Sequence, residues 1–291
     1  MYADGQRPLS YSRRHFLAAS LPLGPLTRPR FGSMVDEARE VIATVDRDVE
    51  LPPPVTLGIA RVVLRPDASS SAAIPGGVRL IVVESGLLAV AISPRSSTVI
   101  SSAELAMDTP PDPDSEVIIP AGTAMAFEAP GVASIRNPGT RSVVVLDAVV
   151  FHEEPRAVAR AFTTDAGLSF QLLASASAGE APTGRISVTL ERLRVSADEA
   201  LPPDLRTGVT LMYIEAGGLD LGSDLGTVFS ARAAASAPYA LPGALNPISA
   251  GDRRAASAGA VIFVPHDARA LAVNRDKRVA EVLSLALREA A

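Results

Sequence analysis

The chain has 291 residues, 47% of them apolar, with 24 Pro, 21 Gly, no Cys, no Trp and a formal net charge of −5. Zero Cys excludes disulfides, zinc ribbons, iron–sulfur clusters and thiol nucleophiles, and the acidic balance argues against a nucleic-acid-binding surface. The length suggests two domains, each able to bury its own core; the three His, at 15, 152 and 266, leave little material for imidazole chemistry.

In Ser12-Arg13-Arg14-His15-Phe16-Leu17, two arginines stand directly before an apolar run, Phe16 to Leu26, that Pro22 and Pro25 interrupt. That layout matches a twin-arginine export signal. Residues 1–35 are therefore expected to be a leader and the protein to be extracytoplasmic, or cytoplasmic if the leader is not a signal. No later segment approaches the ~18 apolar residues of a membrane span.

Beyond residue 35 the pattern is strand-like. Gly58–Leu64, Leu80–Val83, Val117–Ile119 and Ser142–Leu146 are β-branched runs bounded by Pro, Gly, Asp and Ser. Helix is expected only at Val35 to Ile42 and Glu154 to Phe162. Ile186, Val188 and Leu190 alternate, then Leu193 and Val195 continue in the opposite phase, so a β-bulge is expected near Glu191-Arg192. Short strands separated by turn residues predict a sandwich or barrel.

The chain repeats itself. Gly122 precedes Asn137 by fifteen residues, as Gly259 precedes Asn274, and Val82-Val-Glu-Ser-Gly86 matches Tyr213-Ile-Glu-Ala-Gly217. Leu64-Arg-Pro-Asp67 and Val195-Ser-Ala-Asp198 stand upstream of the two copies. Two equivalent units follow, at 36–152 and 153–291, after the leader.

Each unit resembles a cupin, whose first motif reads G-x5-H-x-H-x3,4-E-x6-G and whose second reads G-x5-P-x-G-x2-H-x3-N. Gly259, Pro265 and Asn274 fall on the second motif, as do Gly122 and Asn137 in the first unit; Gly86 and Gly217 look like the end of the first motif. The resemblance implies an all-β fold of two cupin-type jelly-roll β-barrels in tandem. It also shows which metal ligands are missing. The family's ligand positions carry Ala73, Pro75, Arg79 and Ala133 in the first unit, and Asp204, Arg206, Thr210 and Ala270 in the second. Neither unit can assemble two imidazoles, and an arginine at the carboxylate position repels a cation, so no metal or other cofactor is expected.

The side chains that would read a small-molecule ligand are few. Arg79 precedes an apolar run, so its guanidinium is either at a barrel rim or buried with a partner. Asp204, Arg206, Thr210 and Tyr213 make the second unit the preferred mouth, with His266 at its rim. His152-Glu153-Glu154 reads as a polar linker, Asp67 and Asp198 as turn residues, and Asn137 and Asn274 as side chains satisfying backbone groups. The Ala-rich stretch Ala231 to Ala250 reads as a rim insertion or lid. A metal-free, non-catalytic bicupin that binds or senses a small molecule is the leading reading. An enzyme with a divergent site and a structural or interaction protein are the alternatives. A homodimer is compatible with any of them, and no nucleic-acid partner is expected.

Overall fold

The computed structural model describes residues 38–48, 51–74, 77–92, 98–101, 106–107, 116–128, 131–152, 167–202, 208–232 and 244–290. The leader and the helix expected at Glu154 to Phe162 lie outside them. The other expected helix, Val35 to Ile42, begins outside the described residues and is overturned from Arg39 on: Arg39–Asp48 is a strand, β1, paired along its length with β13 (Arg185–Val195). The helix formers at its start are overridden by that ladder.

The expected strands are present, and every pairing between named strands is antiparallel. In the first half, one sheet runs in the order β2 (Val55–Leu64), β11 (Val143–Phe151), β4 (Gly77–Ser85), β9 (Ala124–Glu128). The other runs β3 (Ser69–Ile74), β10 (Gly131–Arg136), β5 (Leu87–Ile92), β8 (Glu116–Pro120). Counting these eight strands in chain order, the sheets read 1-8-3-6 and 2-7-4-5, which is the jelly roll.

The second half repeats this order. One sheet runs β13, β21 (Ala280–Glu289), β14 (Val209–Ala216), β19 (Ala260–Val264); the other runs β20 (Arg269–Val273), β15 (Gly218–Leu225), β18 (Arg253–Ser257). A single bridge from Ala200 to Val273 stands where β3 does in the first half. The described residues are all-β and form two cupin-type jelly-roll β-barrels in tandem. Short strands β6 (Thr98–Ser101) and β7 (Ala106–Met107), and β16 (Val228–Arg232) and β17 (Asn246–Ile248), extend each larger sheet.

The larger sheets exchange their first strands. β1 adds to the second barrel beside β13, and β12 (Leu168–Ala178) adds to the first beside β2. Each seven-stranded sheet thus holds one strand from across the expected division at 152/153.

The exchange explains the change of phase in β13. Its register with β21 is unbroken from Ile186 to Val195, so there is no bulge at Glu191-Arg192. Ile186, Val188 and Leu190 face a core shared by the two halves, while Leu193 and Val195 face the interior of the second barrel. β2 behaves alike: Val55, Leu57 and Ile59 face the shared core, and Val62 and Leu64 the first barrel. The irregularities lie instead in the exchanged strands, between Val41 and Ala43 and between Leu172 and Ala174. Leu57, Leu146, Leu190, Leu211 and Leu285 are fully buried in the shared core, each contributing roughly 1.5–3 kcal/mol by apolar burial.

Four charges close that core. Arg61 and Arg192 occupy equivalent positions, as do Glu84 and Glu215 (192 − 61 = 215 − 84 = 131). Arg61 Nε donates to Glu84 Oε2 at 2.7 Å, and its Nη2 donates to Glu215 Oε1 at 2.7 Å. Arg192 Nε donates to Glu215 Oε2 at 2.9 Å, and its Nη2 donates to Glu84 Oε1 at 2.8 Å. Each arginine clamps one carboxylate of its own half and one of the other. Gly86 and Gly217 turn the chain two residues beyond each glutamate, at φ of +89° and +73°. A Cβ on Gly217 would stand 2.8 Å from Ala280 Cα, so only glycine fits.

Partial burial works against the charged form of Glu84, but the hydrogen bonds and charges of Arg61 and Arg192 outweigh it and hold its carboxyl below the ordinary carboxylate value. A depressed folded-state pKa stabilises the fold above the unfolded value and loses that contribution as pH falls through the folded one. Glu84→Gln should therefore lower stability near neutrality by about 1–3 kcal/mol, and the difference from wild type should shrink below about pH 4. Urea midpoints across pH 3–7 check this; a difference that does not change with pH contradicts it.

Candidate functional site

The same backbone corner holds up both barrels. Asn137 Nδ2 donates to the carbonyls of Leu64 and Arg141, at 3.0 and 2.8 Å, and its Oδ1 accepts from Gly139 N at 2.9 Å. Asn274 does the same with Val195, Arg278 and Asp276, at 2.7, 2.7 and 2.8 Å. Both side chains are fully buried, and their role is the turn-satisfying one the repeat predicts. Asp67 and Asp198, at φ of 60° and 63°, supply the left-handed turns before the next strand position. These four residues shape the barrels and stand outside their polar interiors.

The interior of the first barrel is closed by an ion pair. Arg79 on β4 and Asp147 on β11 are 4% and 1% exposed. Arg79 Nε donates to Asp147 Oδ1 at 2.9 Å, and Nη2 donates to Oδ2. Residues 79 and 147 alternate with Leu80, Val82, Leu146 and Ala148 of the shared core, so both side chains join Ile81, Val83, Val145 and Val149 inside the barrel. Burial pushes the Asp147 carboxyl upward against the opposing charge and hydrogen bonds of Arg79. Of the two placements open to Arg79, the structure shows burial with a partner.

The second barrel carries different groups at the same places. The equivalents of Arg79 and Asp147 are Thr210 on β14 and Ser284 on β21, both fully buried, facing Met212, Ile214 and Val282. Ser284 lies directly opposite Glu191 of β13, as Asp147 lies opposite Ala60 of β2. The carboxylate has thus moved one strand sideways. Its arginine has moved too: Arg39 of the exchanged strand β1 donates through Nη2 to Glu191 Oε1 at 2.6 Å. Glu191 is fully buried. Its Oε2, Thr210 Oγ1 and Ser284 Oγ have no hydrogen-bond partner among the described residues. Three buried oxygens on adjacent strands, one bearing charge, are a costly arrangement unless a polar molecule meets them.

The other expected site residues scatter. Tyr213 lies on the opposite face of β14 from Thr210, packed against the shared core, and does not join the mouth. His266 is exposed in the turn after β19, and His152 is exposed just beyond β11. Asp204 and Arg206 lie outside the described residues. In the Ala-rich stretch, Ala231 and Arg232 belong to β16 and Asn246 to Ile248 form β17, so its ends extend a sheet. Glu191, Ser284 and Asp147 were missed because they stand inside apolar strands. A lone Asp or Glu within such a run is the signal that would have found Asp147 and Glu191; no such signal marks Ser284.

A cupin-type metal does not fit the residues that can be placed. Thr210 stands at the family's carboxylate position, and the second-motif histidine position is Ala270, a buried methyl with no donor atom. In the first barrel, the guanidinium of Arg79 occupies the carboxylate position. Among the described residues no three His, Cys, Asp or Glu side chains converge.

No family model matches the chain, and no curated protein does. Among solved structures it is similar to AerE from Microcystis aeruginosa, at 12% identity and a TM-score of 0.43, over 84% of this chain and 98% of that one. It is also similar to a putative glyoxylate-induced protein from Pseudomonas aeruginosa, at 10% identity and a TM-score of 0.41, over 94% and 96%. A cupin 2 conserved barrel domain protein from Leptotrichia buccalis matches at 14% identity and a TM-score of 0.37, over 86% and 91%. Likeness at this level transfers no activity; the jelly-roll assignment rests on the ladder order above.

The two interiors differ by a testable exchange. Asp147→Ser alone leaves the Arg79 guanidinium buried without its carboxylate and should cost about 3–5 kcal/mol. Arg79→Thr combined with Asp147→Ser installs the second barrel's residues and should recover most of that loss, as read from denaturant midpoints. A double variant as unstable as the single one contradicts the pairing.

Proposed function

We propose that this protein is a non-catalytic, small-molecule-binding double barrel, working without metal or cofactor, whose ligand sits in the second barrel. The observation that carries the reading is the set of three buried, unpartnered oxygens of Glu191, Thr210 and Ser284, set against the self-satisfied Arg79–Asp147 pair of the first barrel. The walls around them are apolar: Met212, Ile214, Ile262 and Val282. Arg39 already offsets the charge of Glu191, so the matching ligand is neutral and brings hydroxyl or amide donors to the carboxylate. Two hydroxyls, each able to donate or accept, complete the match. Neither hydroxyl is hydrogen-bonded to the Glu191 carboxylate that could act as its base, which supports binding over turnover. Export through Arg13-Arg14 belongs to the same reading and would place the ligand outside the cytoplasm.

Melting temperatures measured across a panel of small neutral polyols, sugars and hydroxy-amides test it. A compound held at a hundredfold its Kd stabilises the fold by about 2.7 kcal/mol, a rise of roughly 5–10 °C for a chain of this size. Thr210→Val with Ser284→Ala should abolish the rise for that compound while leaving the unliganded protein folded. A panel with no saturable shift, or a shift that survives in the double variant, contradicts the proposal.

A further inference from the structure

The second barrel has another polar recess, at the end away from Thr210. Thr210 lies near the start of β14, whereas this recess lies beside the turn that ends the strand, where Ala258 N donates to Gly217 O. At about 3.3 Å per residue, the two are separated by roughly 15–20 Å. The recess is a pocket of about 200 Å³ lined by Ser230, Arg232, Asn246, Arg254, Ser257 and the methyls of neighbouring alanines. Among the described residues no acidic side chain lines it. The protein carries a net charge of −5, so two arginines as the charged members of that lining run against the background.

The two arginines differ from their neighbours. Most arginines of the fold have a carboxylate within reach: Arg253, next in the chain, donates from Nη1 to Asp220 Oδ2 at 3.1 Å, and Arg136 makes a forked pair with Glu116. Successive side chains of a strand point to opposite faces. Arg253 therefore meets Asp220 on one side of β18, while Arg254 shares the other side with the buried Ala256. Arg232 stands opposite Ala260 in the ladder, on the face that Ala260 turns to the core. Neither Arg232 nor Arg254 has a hydrogen-bond or ion-pair partner among the described residues. Asn246 spends its amide on the carbonyls of Ala244 and Ser230, so the donors left facing the pocket are guanidinium and hydroxyl groups.

We propose that this pocket binds an oxyanion group, a carboxylate or a phosphate, clamped by Arg232 and Arg254. A guanidinium presents two parallel N–H groups matched to two oxygens of such an anion. The site is separate from the one proposed inside the barrel, and its ligand has the opposite character, charged where the other is neutral.

Titration calorimetry on the full chain, with inorganic phosphate and with succinate against chloride at matched ionic strength, tests the proposal. Saturable one-to-one binding of either is expected, and whichever anion saturates identifies the group. Arg254→Gln should weaken it at least tenfold; Arg254→Lys should weaken it less, because the charge stays and the fork is lost. Arg253→Gln, and Thr210→Val with Ser284→Ala, should leave it unchanged. Binding no stronger than that of chloride, or binding that persists in a chain carrying both Arg232→Gln and Arg254→Gln, overturns the proposal. So does a loss in Arg253→Gln equal to that in Arg254→Gln. The Lys variant keeps the test decisive if the Gln variant does not fold.

Discussion

The reciprocal exchange of β1 and β12 sets the terms for the rest of the structure. A strand donated by each half to the other's sheet means that neither large sheet is complete within its own half. The two sheets also face one core built from both halves. Their strands must therefore be apolar on both faces, a pattern usual for buried parallel sheets and rarer in antiparallel ones. Where both faces are spoken for, charge enters in only two ways. It can sit at the rim of the shared core, as in the Arg61–Glu84–Arg192–Glu215 ring, or inside a barrel with a partner. The ring follows the pseudo-twofold relation of the halves: each arginine donates through Nε to the glutamate of its own half and through Nη2 to that of the other, and Arg61 adds a second bond to Glu84.

The barrel interiors break that symmetry. In each a buried acid meets an arginine, at different positions: Asp147 with Arg79 in the first barrel, Glu191 with Arg39 in the second. Moving the acid one strand sideways and taking its arginine from the exchanged strand leaves Thr210 and Ser284 where the ion pair would be. A bidentate pair satisfies its own donors and acceptors and fills its space. Two hydroxyls and a half-used carboxylate do not, and the proposed binding in the second barrel rests on that difference. The exchanged strand thus contributes to the interior of the barrel it joins as well as to its ladder.

Much of this architecture was legible in the residues. The Gly-to-Asn spacing survives in both halves because a left-handed turn and a three-bond asparagine corner each tolerate few alternatives. What misled was local pattern at the junction. Val35 to Ile42 contains good helix formers, yet residues 39–48 pair with a strand nearly 150 positions away, which no local signal reports. The phase change in β13 reads as a bulge if one face is assumed wet, and dissolves once both faces are buried. Asp147 escaped notice because a carboxylate ends a strand in most sequence readings; here it sits mid-ladder, with Val143 to Phe151 continuous around it. Tyr213 was misplaced for a related reason, since neighbours in sequence alternate between the barrel interior and the shared core.

The exchange is tested most directly by separating the halves. Residues 36–152 and 153–291, expressed as two chains in one cell, should copurify as a one-to-one complex that elutes at the size of the joined chain, because each large sheet takes a strand from the other. Either half expressed alone should lack its seventh strand and expose the shared core, and should aggregate or remain unfolded. Two halves that fold separately as stable monomers, with no tendency to associate, would contradict the account.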